Sequence, residues 1–396
     1  MSPVKLVIFG EYWDSYLYRG RLHLFGLDSS LLTLDWNQLV EGLGVPEDLI
    51  LAAECAFRRS DYFYSDRDQW SLLFRDPEIK ALILGKFNRL AELKLVVEPA
   101  SLKRFAIGQQ DSPFPFPHTD LTIYNKKAYA CSSLGVFEAN CDGKTKAPVS
   151  SRRRTLWDAG ALCVALSYGT AAIAAGAEGL YRLPIDYRYS ENGMEPVRLS
   201  NHACNSCFWL YYSILGTSQV SKSFLADYSK RAVEGSNFKL ELNRLIPEDD
   251  IFGSSGFTWG LQDKLYQVHD RQLLALRYEP WRDEKHATDS DFSKLTPMTV
   301  TDISRDSIVS ASAALFGAVI ETDDALRVIE SNGNFLSFVG EPTSWRTFPR
   351  STFYGNQLHV IWDDRLEIIS FSGDYFVDQK EKAIGIRYTS RFGRSE

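Results

Sequence analysis

A mainly β fold built from imperfectly repeated sheet units is predicted by three features of the sequence. Residues 322–329 and 362–369 match in register, and each places a two-residue acidic turn between apolar, strand-like segments. Residues 269–276 keep the same turn and the leucine that follows it. Gly135 and Gly179 each open an apolar-aromatic step, which suits a tight turn before a strand. Repetition therefore extends over much of the chain.

Repeated units of about 40 to 55 residues, each with short strands joined by tight turns, are typical of four-stranded propeller blades. One small sheet cannot bury both of its faces, whereas blades packed around an axis give each sheet two neighbours. The sequence thus predicts a six- or seven-bladed β-propeller over residues 1–396 as a single domain. We expect the apolar segment 383–388 to close the ring by pairing with residues 5–9 in one blade.

The steps Gly135-Val136-Phe137 and Gly179-Leu180-Tyr181, together with the two Asp-Asp hairpins, resemble blade signatures of the broad β-propeller superfamily, which has WD40- and kelch-like architecture. The resemblance implies a propeller fold for nearly the whole chain outside residues 36–93. The periodic Gly-His and Trp-Asp signatures of WD40 repeats and the double glycine of kelch repeats are absent. The resemblance therefore implies no functional residues.

Residues 37–93 break the β pattern and predict a helical insertion in or after the first blade. Asp76-Pro77-Glu78 supplies an N-cap, a proline for the first turn and an acidic residue at the positive end of the helix dipole. Apolar residues follow at helical spacing: Ile79, Leu82, Ile83, Phe87 and Leu90. A shorter helix is predicted over residues 222–233, ending before Gly235.

Composition limits the possible partners and compartments. The 396 residues carry 51 acidic and 44 basic side chains, a formal charge of -7, which disfavours binding to a nucleic-acid backbone. No apolar stretch is long enough to predict a membrane span, and the N-terminus lacks the pattern of a signal peptide. Six cysteines are too few for a disulfide scaffold in so long a chain. We therefore expect a soluble protein in the reducing cytoplasm.

One sequence segment has spacing that resembles a metal site. His202, Cys204 and Cys207 could supply three ligands, but structural zinc needs four and no second such motif exists. The segment after Cys207 reads as a buried strand, which does not activate thiols. We expect no metal and no cofactor here.

A basic cluster is the first candidate for binding a partner. Lys144, Lys146, Arg152, Arg153 and Arg154 lie between the second and third units and could contact phosphate or an acidic surface. The alternative interpretation is a solvated loop. No aromatic residues alternate with the basic ones, so the cluster lacks the platform typical of single-strand binding.

Two further segments carry candidate side chains. Phe114 and Phe116 alternate with prolines, which predicts a stiff segment that either crosses the surface or docks on a partner. Acidic clusters at 248–250 and 283–284, the latter near His286, could serve glycoside hydrolysis, but neighbouring acids in one loop rarely face each other across a substrate. Phosphate-loop, dinucleotide-binding, nucleophile-elbow and zinc-protease motifs are absent. No catalytic residue is predicted.

These observations favour a non-enzymatic interaction module or scaffold, an accessory subunit of an intracellular complex that binds another protein through the helical insertion or its loops. The alternatives are a propeller hydrolase or small-ligand binder acting at the axial face, and a nucleic-acid-associated subunit. Ligand binding requires polar side chains from several blades to converge on the central channel. Docking requires exposed apolar residues on the insertion.

Overall fold

Seven β-sheets make up most of the described part of the protein. The computed structural model describes residues 2–64, 76–141, 148–186, 195–233, 237–280, 292–294, 298–300, 303–372 and 384–386, and for 230–239 the backbone alone. Each sheet holds four or five strands joined mainly in sequence order. The predicted propeller is therefore confirmed, with seven blades.

Within each blade the strands run from the central axis outward. The first strands are β2 (Tyr12–Tyr18), β7 (Asp120–Tyr124), β11 (Cys163–Ser167), β15 (Ser206–Leu210), β19 (Phe257–Leu261), β24 (Ile308–Ala314) and β28 (Ser344–Thr347). The second strands are β3 (Arg21–Gly26), β8 (Lys127–Ser132), β12 (Thr170–Ala174), β16 (Ser213–Thr217), β20 (Lys264–His269), β25 (Gly317–Thr322) and β29 (Gln357–Trp362).

The third strands are β4 (Ser30–Asp35), β9 (Gly135–Asn140), β13 (Leu180–Pro184), β17 (Phe224–Val233), β21 (Gln272–Tyr278), β26 (Ala325–Glu330) and β30 (Arg365–Ser370). The outer strands are β6 (Ala106–Asp111), β10 (Arg153–Trp157), β14 (Val197–Ser200), β18 (Asn237–Pro247), β22 (Phe292–Lys294) with β23 (Met298–Thr299), β27 (Phe335–Val339) and β1 (Val4–Phe9). The first strands contact one another in order, and β28 contacts β2, so the ring is closed.

The acidic turns and the two glycines occupy equivalent places in different blades. The turns at 323–324 and 363–364, like that at 270–271, join second to third strands. Gly135 and Gly179 stand at the start of third strands, with φ values of +134° and +97°. A Cβ on Gly179 would lie 2.0 Å from the Ser200 carbonyl oxygen in the outer strand, and Gly135 faces an equivalent clash with Trp157. Only glycine permits this close approach, so the repeat prediction is confirmed at the level of single residues.

Blade 7 is completed by the N-terminal strand, but not through the predicted partner. β1 pairs antiparallel with β30 in six residue pairs, from Val4–Ser370 to Phe9–Arg365. The expected pairing of residues 5–9 with 383–388 is wrong, because β30 already fills the neighbouring position. Ile384 and Ile386 are instead buried in the largest core cluster, and the Ile386 N–H donates to the Ala314 carbonyl.

The predicted helical insertion lies between the third and fourth strands of blade 1. Its helices are α1 (Trp36–Glu41), α2 (Ile50–Phe57), α3 (Asp61–Tyr64), α4 (Pro77–Ala91) and α5 (Pro99–Leu102), and it adds strand β5 (Leu95–Val97), which pairs in parallel with β1. The Asp76 side chain accepts from the Glu78 and Ile79 N–H groups, which confirms the predicted helix start. Ile83, Phe87 and Leu90 face the core, whereas Leu82 is 62% exposed.

The insertion packs on the ring. The Trp36 indole N–H donates to the Phe57 carbonyl inside the insertion. Asn356 and Gln357 of blade 7 donate side-chain hydrogen bonds to carbonyls at the end of α2. Blade 1 supplies the insertion and blade 7 receives it, so it spans the seam where the ring closes.

The helix predicted over residues 222–233 is wrong. Residues Phe224–Val233 form β17, which pairs with β16 and with the long strand β18. Pairing on both sides outweighs the local helical pattern. The acidic residues at 248–250 lie in the short helix α6 (Glu248–Phe252) rather than in a loop. Among the described helices, none combines the length and hydrophobicity needed to span a bilayer.

Candidate functional site

A cavity of about 270 Å³ lies in the central channel of the propeller. Its walls come from the first strands of several blades and from residues 348–351, which follow β28. Tyr16, Tyr124 and Trp209 supply aromatic surface, and Arg346 and Arg350 supply positive charge. Polar groups from several blades therefore converge on the axis.

Arg346 ties three blades together at one end of this channel. It projects from β28, and its Nη2 donates to a carboxylate oxygen of Asp14 in blade 1 at 2.8 Å. Its Nη1 donates to the Leu121 carbonyl in blade 2 and lies 3.9 Å from the Asp120 carboxylate. The guanidinium also lies 5.0 Å from the ring centre of Tyr16, at cation-π distance. Arg346 thus connects blade 7 to blades 1 and 2.

Asp14 and His118 complete this buried network. His118 Nε2 lies 3.2 Å from Asp14 Oδ2, the same oxygen that accepts from Arg346. The other carboxylate oxygen, Asp14 Oδ1, accepts from the Ser15 N–H. Burial opposes ionisation of Asp14, but the Arg346 charge and the His118 hydrogen bond outweigh it and hold the Asp14 pKa below its ordinary value. The Ser15 hydroxyl lies 3.0 Å from His359 Nδ1 in blade 7.

Arg350 lies at the other end of the channel. It follows β28 in the connection to the second strand of blade 7, and its Nη1 donates to the Leu166 carbonyl near the end of β11. Burial lowers the pKa of Arg350 below its ordinary value. No carboxylate of the described residues forms an ion pair with it.

Two fully buried histidines should make stability fall with acid. Burial, assisted by Arg21 for His23 and by Arg346 for His359, lowers the pKa of both to about 3. The unfolded chain binds these protons near pH 6.5, so the free energy of unfolding is retained above that pH. As the pH falls from 6.5 towards 3, it should drop by about 1.4 kcal/mol per pH unit for each histidine.

The measurement is urea unfolding at several pH values. Between pH 6 and 4.5, His23→Gln should reduce the slope of the unfolding free energy against pH by the contribution of about one proton. The same change at an exposed histidine, His202→Gln, serves as the matched control. Equal slopes for the wild type and His23→Gln would contradict the assignment.

Two of the basic candidates, Arg153 and Arg154, begin the outer strand of blade 2, and Arg152 precedes it. Arg153 donates to the Pro113 carbonyl and lies over the Phe137 ring, while Arg154 pairs with Glu138 at 2.9 Å. Arg152 is exposed. Lys144 and Lys146 lie outside the described residues, as do Asp283, Glu284 and His286.

The proline-rich segment presents only one of its two aromatic side chains. Phe114 is buried in the core between blades 1 and 2, whereas Phe116 is 42% exposed and packs edge-on against Trp13. The segment joins blade 1 to blade 2 on the face opposite the insertion. The site thus does not include either side chain.

Cys204 and Cys207 are both buried in an apolar cluster between blades 3 and 4. The Cys207 thiol lies 3.9 Å from that of Cys163, and this hydrogen bond with burial raises the Cys207 pKa well above its usual value. Burial raises the Cys204 pKa to about 12. His202 is exposed and contacts the Phe224 ring. Within the described ranges, no three His, Cys, Asp or Glu side chains form a group able to hold a metal ion.

Glu248, one of the acidic residues at 248–250, is buried where blades 4 and 5 meet and accepts hydrogen bonds from both blades. Its carboxylate accepts from the N–H groups of Ser223 and Gly256, the Thr258 hydroxyl and the Gln267 amide. These contacts join blades 4 and 5, so Glu248 has its hydrogen bonds satisfied internally.

Sequence reasoning missed the channel residues altogether. Asp14 and Arg346 are 332 residues apart, so no local spacing connects them. Arg346 and Arg350 lie four residues apart in a segment that also contains Trp345 and Phe348, and that pair of cations was the available signal.

No protein-family model and no curated protein matches the sequence. Among solved structures, the chain is similar to the Cps50 (Swd1) β-propeller domain of Myceliophteria thermophila, with a TM-score of 0.51, 10% identity, and coverage of 92% of this chain and 97% of that one. A weaker similarity, to Hsv2 of Kluyveromyces lactis, has a TM-score of 0.41 and 12% identity over 66% of this chain and 75% of that one. At such identities the first similarity supports the fold alone: the chain is a seven-bladed β-propeller.

Proposed function

We propose that this propeller is an interaction module whose protein partner binds the face of the ring that carries the insertions. The supporting observation is where the long connections lie. The third strands of blades 1, 2, 3 and 5 end at residues 35, 140, 184 and 278 on the same face, and the strands that follow them begin there only at residues 106, 153, 197 and 292. In blade 4 the strands β17 and β18 themselves extend beyond β15 and β16. On the opposite face, blade 6 is joined to blade 7 by residues 340–343 alone.

The insertion in blade 1 offers apolar surface on this face. Ile50 and Leu51 in α2 are each 49% exposed, and Leu82 in α4 is 62% exposed. Leu82 lies one helical turn before Lys86, whose ammonium donates to the Asp48 carbonyl just ahead of α2. The three exposed apolar side chains thus belong to two helices that pack against each other, α2 and α4, and exposed apolar residues on the insertion are what docking requires.

We also propose a reducing compartment and a scaffold or accessory role for this protein. None of the six cysteines forms a disulfide, which supports a reducing compartment such as the cytoplasm. A rigid ring that presents variable loops suits a scaffold or accessory subunit of a complex. No catalytic assignment is part of the proposal.

The test is a triple variant, Ile50→Glu, Leu51→Glu and Leu82→Glu, purified with its bound proteins from the native host. We expect the amounts of partner recovered, measured by quantitative mass spectrometry, to fall about tenfold or more, since each charge would enter an apolar contact. The matched control is Leu134→Glu with Val339→Glu, which changes exposed residues near the opposite face. Equal recovery with both variants, or no stable partner of the wild type, would overturn the proposal.

A further inference from the structure

Arg350 presents a guanidinium in the channel, and no acidic side chain among the described residues pairs with it. Its single hydrogen bond in the described structure goes to the Leu166 carbonyl, which carries no formal charge. Its partly buried side chain lines the channel together with Tyr124, and Tyr168 lies nearby. A cation taken out of water is costly unless an opposite charge accompanies it.

The charges along the channel are arranged with opposite polarity at the two ends. Asp14 and Asp120 both lie close to Arg346, at the end away from the insertions. Asp120 also accepts the Val164 N–H, so its carboxylate is held in place. Among the described side chains, that end holds two carboxylates and one guanidinium, so acidic groups outnumber the arginine there. Arg350 leaves the insertion-face end positive.

We propose that the channel binds a small free anion carrying a phosphate or carboxylate group, with Arg350 as its principal ligand. The ligand enters from the insertion face, where it meets the positive end first and stays clear of Asp120. A guanidinium offers parallel N–H donors that match either group, and such charge-assisted bonds are strong. The cavity of about 270 Å³ is large enough for phosphate or a small organic acid and lies below the usual size for larger ligands.

The anion site lies on the axis of the ring and is separate from the docking face on the insertion. The competing explanation is that Arg350 is a strut that only joins blade 7 to blade 3 through Leu166. If Arg350 is an anion ligand, the channel binds phosphate or a carboxylate; if Arg350 is only a strut, it binds neither. Measuring anion binding therefore distinguishes the two explanations.

The experiment titrates the protein with inorganic phosphate and, separately, with labelled acetate, at ionic strength held constant with sodium chloride. Binding is measured from the relaxation of the 31P or 13C signal. The wild type and the exposed-site control Arg152→Gln should bind at least one of the two anions, and Arg350→Gln should weaken that binding about tenfold or more. Arg350→Lys keeps the charge and should retain part of it.

A second measurement needs no variant, in case Arg350→Gln does not fold. Phenylglyoxal modifies accessible arginines, and peptide mass spectrometry reports the rate at each one. The anion that binds should protect Arg350 at least about threefold while leaving Arg152 unprotected. Absence of binding by both anions to the wild type, or equal protection of the two arginines, would overturn the proposal and leave the strut explanation.

Discussion

Arg346→Met is expected to lower the free energy of unfolding by about 3 to 5 kcal/mol, because it leaves Asp14 as a buried carboxylate without its cation. The Asp14 side chain is 7% exposed and that of His118 is 4% exposed, so water cannot replace the lost contact. The loss also removes the hydrogen bond to Leu121, which links blade 7 to blade 2. Urea unfolding followed by tryptophan fluorescence measures the change.

A double-mutant cycle separates the ion pair from the packing of the long side chain. Asp14→Asn removes the charge while keeping a similar shape, so Arg346→Met combined with Asp14→Asn should be less destabilising than the sum of the two single changes, by about 1 to 3 kcal/mol. Additive effects would contradict the ion pair as the source of the stability.

Leu6→Ala is expected to lower the free energy of unfolding by about 2 to 5 kcal/mol. Leu6 is fully buried in β1, between β30 and β5, and belongs to the core cluster that also holds the buried face of α4. Truncating it leaves a cavity at the seam where the ring closes. Thermal and urea unfolding both report the loss.

The matched control is Val197→Ala in β14, the outer strand of blade 3. Val197 is 49% exposed, so its truncation should change the free energy of unfolding by less than about 0.5 kcal/mol. A Leu6→Ala variant as stable as this control would rule out a structural role for β1 in completing blade 7.

The repeated units could be predicted from sequence because each repeat satisfies a local requirement. The turns at 323–324 and 363–364 join the same pair of strands in successive blades, and the two glycines must let an outer-strand carbonyl approach. The helix start at Asp76 could be predicted as well, because an N-cap depends only on the few residues that follow it. Such features are determined within about 20 residues, so a single sequence reveals them.

Ring closure and the channel could not be predicted in the same way. Residues 5–9 could pair with any apolar strand, and the choice of 365–370 over 383–388 depends on contacts across the whole ring. A count of strands would have helped, because among the described residues the last blade supplies three strands of its own before β1 joins it. Residues 224–233 form a strand because β16 and β18 on either side offer hydrogen bonds. The local periodicity of the sequence carries no information about those neighbouring strands.

The position of β1 also constrains the order in which this protein can form during synthesis. β1 is synthesised before the other described strands, but its antiparallel partner, residues 365–370, follows only after six blades have been made. β5 is made much sooner and pairs with the other edge of β1. The blade 1 insertion can thus shelter one edge of the nascent strand while the rest of the chain is translated, which limits the time that an unpaired apolar edge is available for aggregation.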